Sequence, residues 1–115
     1  MLRPMQIVSL VLYAAGMSFG QVLFKASALR VKEDGSIFAL LWSPHFISAI
    51  ILYVILTVVW VYILTGIQLS VAYPFVALSF VFTPLVAYLV FGDTVSGSYI
   101  IGVALIIVGL IVLVR

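Results

Sequence analysis

Cysteine is absent from this chain of 115 residues, and histidine occurs once, at His45. Without thiols there is no disulfide frame, thiolate chemistry or zinc-finger spacing, and a lone imidazole makes no metal cluster. Charge is scarce too: five Lys and Arg against three Asp and Glu leave a formal net charge of +2. That balance, dispersed along the chain, gives no basic patch for nucleic acid. None of the acids lies inside an apolar run; Glu33, Asp34 and Asp93 sit in polar stretches between runs, so no carboxylate is placed to carry protons across a membrane. A Ser-His-Asp set, paired acids and a phosphate-cradling glycine loop are also missing. Hydrolase, kinase and ATPase chemistry has no residues to rest on, and neither enzymatic activity nor a cofactor or metal is expected.

What is present is hydrophobic: 67% of the residues, with only 7% charged. A soluble domain this short could not bury so much apolar surface, so the excess must face lipid. The expectation is a single all-α integral membrane domain over residues 1–115 with four transmembrane helices. Met5 to about Leu29 is the first span, long enough for a hydrocarbon core of roughly 30 Å. A cleaved signal peptide ending near Ala14-Ala15-Gly16 is the rival reading, opposed by the apolar run continuing beyond that site. Arg30 to Gly35 reads as the charged, exposed loop, and residues 36–42 as an interfacial turn with Ser36 or Asp34 as N-cap and Pro44 as a stop. The other spans are about 46–65, 71–91 and 98–114. They are uninterrupted apolar runs rather than the alternation of barrel strands. Pro74 and Pro84 are expected to kink the third span, since each removes an intrahelical hydrogen bond. Asp93 or Ser96 can cap the last.

Lys25 is the only basic residue inside a span. At about 100° per residue, Ser18, Gln21 and Lys25 share one face of the first helix, with Gly16 and Gly20 nearly opposite. Small residues admit a neighbouring backbone, whereas polar ones must face protein or water. The expectation is a helix with its back packed on a neighbour and its front on a polar cavity. Two readings of Lys25 stand side by side: a snorkelling anchor, or the partner of an anionic headgroup. In favour of the second, Gln21 and Ser18 continue the polar stripe inward and no acid is near. Tyr53, Thr57 and Trp60 either pack between helices or wall the same cavity, and Tyr73 beside Pro74 either shapes the helix start or points at a ligand. Ser98, Gly102, Leu105 and Gly109 align on the fourth helix as a seam for a second subunit. The positive-inside balance is nearly even, with Arg3 and Arg115 on one side and Arg30 and Lys32 on the other. Cytoplasmic termini are the reading adopted, and the same balance suits a chain that inserts both ways.

Gly20-Gln21 and Lys25 closing the first span, Thr65-Gly66 leading into Val71-Ala72-Tyr73-Pro74, Phe91-Gly92-Asp93, and Gly102 to Gly109 in the last helix together resemble the small four-helix, EamA-like members of the drug/metabolite transporter superfamily. The resemblance covers essentially the whole chain. Within the group it is most similar to the paired subunits that flip aminoarabinose-phosphoundecaprenol across the bacterial inner membrane. The small multidrug resistance exporters are more distant, since Met17 stands where their membrane glutamate would fall. The resemblance implies a dimer through the fourth helix, with itself or with a similar four-helix subunit, and a cavity formed by the first three helices. The function expected is translocation of a polyprenyl-phosphate-linked sugar or related anionic lipid, with Lys25, Gln21 and Ser18 at the phosphate and Tyr73, Tyr53 and Trp60 along the path. Export of small cationic or polar molecules, or an accessory role beside a membrane enzyme, are the alternatives.

Overall fold

The computed structural model describes residues 2–114, so the expectation for Arg115 lies outside it. Among the described residues the chain is helical, with no strand. Helix α1 runs Pro4–Asp34. Proline is well placed at a first helical position, where its missing N–H costs nothing, and the Gln6 side chain reaches back to accept the Arg3 amide at 2.9 Å. The apolar run continues into the charged stretch without a break, so Arg30 to Asp34 is helix rather than the loop expected. Arg, Lys and Glu are good helix formers. Arg30 and Asp34 pair at 3.8 Å one turn apart, and Lys32 in the last turn complements the helix dipole. The stop is Gly35, whose φ of 73° lies in the left-handed region and lets its amide close back on the Val31 carbonyl at 2.8 Å.

A six-residue 3₁₀ turn, Ile37–Trp42, follows, with the Ser36 hydroxyl accepting from the Phe38 amide. Its large side chains stay outside: Phe38 and Trp42 are 72% and 81% exposed, as suits an interfacial segment. Pro44 does not act as a stop. It opens α2, Pro44–Leu64, behind Ser43, whose hydroxyl accepts from Phe46. The third span is broken into α3 (Leu69–Ala72), a 3₁₀ segment (Tyr73–Leu78) and α4 (Ser79–Phe91). Pro74 opens the tightened segment, having no amide for the carbonyl four residues back. Pro84 sits inside α4 without interrupting it. Helix α5, Gly97–Val114, starts where the Ser96 hydroxyl accepts from the Tyr99 amide, so Ser96 is the cap.

Helix α1 is the spine: α2, the 3₁₀ segment of the third span and α4 all pack on it. Leu10, Ile63, Ile67, Ala72, Phe75 and Leu110 form the core, close to the α2–α3 turn. Helix α5 is held mainly through the segment 73–78. The molecule measures 49 × 36 × 18 Å. Four stretches are long and apolar enough to cross a membrane: Pro4–Asp34, Pro44–Leu64, Leu69–Phe91 and Gly97–Val114. Their apolar side chains face outward almost throughout, as in α2, where Val54, Ile55, Val58 and Val61 are all at least half exposed. The protein is a multi-pass membrane protein.

Candidate functional site

The two-glycine face of α1 meets α2. A methyl placed on Gly16 would come within 3.0 Å of Leu56 Cδ2, and one on Gly20 would run into the Tyr53 ring. Gly20 is therefore the opening through which Tyr53 lies against the α1 backbone. Its ring stacks on Phe24 with centroids 5.1 Å apart and planes at 22°. Its hydroxyl donates to the Met17 carbonyl at 3.0 Å and accepts from Gln21 Nε2 at 2.9 Å. A phenol at this depth in hydrocarbon needs a partner for its O–H. Here Tyr53 has both a donor and an acceptor, and it holds Gln21 in one orientation.

The polar stripe of α1 divides into three fates. Ser18 does not face a cavity: it is 1% exposed, donating to the Ala14 carbonyl and accepting from Thr83 Oγ1 at 2.9 Å. The physical reason is α4, which covers this turn of α1 and turns the serine into an interhelical tie. Gln21 is exposed and bound to Tyr53. Lys25 is exposed and makes no ion pair among the described residues. It lies nine residues, about 14 Å along the helix, before the end of α1 at Asp34. Thr57 turns its hydroxyl back to the Tyr53 carbonyl at 2.7 Å and offers it to nothing else.

Trp60 and Tyr73 are brought together edge to face with centroids 6.4 Å apart. Trp60 also stacks on Tyr13 at 4.9 Å. Tyr53, seven residues before Trp60, belongs to the separate Phe24 group, so the three aromatic residues named from the sequence do not form one wall. Tyr13 went unnamed in the sequence, yet a signal was there. Tyr13, Gly20 and Phe24 share one face of α1 at helical spacing, a glycine bracketed by aromatics. Tyr99 and Thr83 were legible only once α4 and α5 were in place. Along α5, Leu105 is 68% exposed, and nothing lies within 4 Å of a methyl built on Gly102 or Gly109. Within one chain that face is uncovered.

The structure is a four-span, all-α membrane bundle in which Gln21 and Lys25 of the first helix are exposed. Among known proteins, the chain is similar to the protein described as "Probable 4-amino-4-deoxy-L-arabinose-phosphoundecaprenol flippase subunit ArnE" from Pseudomonas fluorescens, at 40% identity over 57 residues, half of each chain. The protein of the same description from an Enterobacter species is 39% identical over 54 residues, 47% of this chain and 50% of its own. The chain thus spans about half the length of the curated relatives it matches. No family model and no solved structure matches it.

Proposed function

We propose that the protein is one subunit of a flippase for a polyprenyl-phosphate-linked sugar, working in the inner membrane of a bacterium. The observation that carries this reading is the similarity to two flippase subunits whose names specify an aminosugar on phosphoundecaprenol. Lys25 adds the chemistry. A cation at the centre of a membrane helix costs about 2.5–3.5 kcal/mol on insertion scales, and less towards its end; a lipid phosphate arriving at Lys25 would offset what remains of that cost. Gln21, oriented by Tyr53, stands one turn deeper to accept or donate to a sugar or phosphate oxygen. Trp60 and Tyr73 offer aromatic edges to the sugar or the lipid chain. Ser18 joins the site only when α4 moves away from α1. The uncovered face of Ser98, Gly102, Leu105 and Gly109 suits close approach by a second four-helix subunit, whether another copy or a sister chain. Such a protein moves lipid and makes or breaks no covalent bond.

The test is thermal stabilisation of the purified protein, because a ligand that binds only the folded form raises its stability, by about 2.7 kcal/mol at a hundred times its Kd. Undecaprenyl phosphate, with and without an aminosugar, is compared with tetraphenylphosphonium on the wild type and Lys25→Ala. The expected result is stabilisation by the phospholipids that is lost in the variant. Stabilisation by the cation alone would overturn the flippase reading and favour export of small cations. An unchanged response in Lys25→Ala would remove Lys25 from the site.

A further inference from the structure

Pro84 has no amide to give to the carbonyl of Phe80, four residues earlier in α4. In water such a carbonyl would be hydrated, but in hydrocarbon it needs a protein donor. The structure supplies one from another helix: the Tyr99 hydroxyl of α5 donates to the Phe80 carbonyl at 2.9 Å. On the adjacent residue, Thr83 Oγ1 donates to Ser18 of α1 at 2.9 Å. The turn at residues 83–84 thus lacks one bond of its backbone ladder and is tied on both sides by side-chain hydroxyls. Beside it, Phe80, Pro84, Leu85, Tyr99 and Val103 line an apolar groove of about 260 Å³ between α4 and α5, space into which the helix can swing.

We propose that Tyr99 is a positioning residue, its hydroxyl standing in for the amide donor that Pro84 removes, and that residues 83–84 form a hinge in the third span clamped by Tyr99 and Ser18. Two of the hinge's bonds belong to side chains, so they break and re-form without unwinding the helix. A backbone bond at the same place would resist bending along its whole turn. Moving the α4 half of the span also uncovers Ser18, which is otherwise sealed. The assignment adds to the transport reading, but its test reads the bend itself, so it stands or falls apart from lipid binding.

The experiment is a double-mutant cycle with a distance readout. Pro84→Ala restores an amide to the Phe80 carbonyl, and Tyr99→Phe removes the hydroxyl alone. Tyr99→Phe is expected to lower the melting temperature by a few degrees in the wild-type background and to leave that of Pro84→Ala unchanged. An equal loss in both backgrounds would overturn the clamp. Because the chain has no cysteine, spin labels on Cys introduced at Leu29 and Leu89, both exposed, report the distance across the hinge in bilayers. Tyr99→Phe should broaden the distribution and Pro84→Ala should narrow it. Three superimposable distributions would show that no hinge exists.

Discussion

Replacing Gly20 with alanine tests the seam between α1 and α2 with a single methyl. In an open helix the change is favourable by about 1 kcal/mol, because glycine has more conformational freedom to lose. At this position the new carbon would occupy space already taken by the Tyr53 ring. The ring cannot simply yield, being stacked on Phe24 and anchored through its hydroxyl to Met17 and Gln21. Overpacking of a fixed group costs about 1–3 kcal/mol, and losing the phenol's bonds adds about 0.6 kcal/mol each at the average measured in membranes. The balance is a net destabilisation of about 1–3 kcal/mol, the methyl's helix gain subtracted. Gly16→Ala is the internal control: its methyl meets only the flexible end of Leu56, at 3.0 Å, so the change should be near neutral. A second control is Gly20→Ala in a Tyr53→Ala background, where the obstacle is gone and the helix gain should appear alone. Reversible unfolding in mixed micelles measures all four variants. A Gly20→Ala protein as stable as the wild type would refute the account of the seam.

Two further outcomes follow from the hydroxyl bonds. Tyr53→Phe and Gln21→Leu should show a coupling of about 0.5–1.5 kcal/mol in a double-mutant cycle, the net worth of one hydrogen bond, and strict additivity would mean the contact contributes nothing. Ser18→Ala should cost about 1–3 kcal/mol by leaving Thr83 without its acceptor, while Ser18→Ala with Thr83→Val should recover most of the loss, because an apolar pair leaves no orphan; a double variant less stable than the single would contradict this.

The four spans were legible because a run of twenty or so apolar residues matches the thickness of hydrocarbon and little else. The end of α1 was not: charge between two apolar runs suggests a loop, but helix propensity and the Arg30–Asp34 pair act locally and carry the helix to Asp34. Within the third span, proline foretold disturbance without its form. Pro74 shortens the helical turn, whereas Pro84 leaves the helix continuous and lends a carbonyl to α5. The back of α1 at Gly16 and Gly20 followed from angular spacing alone. Its front did not, since Ser18 and Lys25 share an angle but only Ser18 lies under α4. Which residue of a stripe is covered depends on a contact 65 residues away in sequence, and periodicity carries no trace of that.

The thinness of the molecule sets a limit on what one chain does by itself. Its shortest dimension is 18 Å, room for about two layers of helix. A plate of that depth has two faces and almost no inside. Under the proposed function, a sugar phosphate crossing along either face would meet hydrocarbon on its open flank, and the cost of that exposure falls on the charge and on every hydroxyl at once. Under that function, a shielded route past Lys25 and Gln21 would take one of its walls from a second subunit.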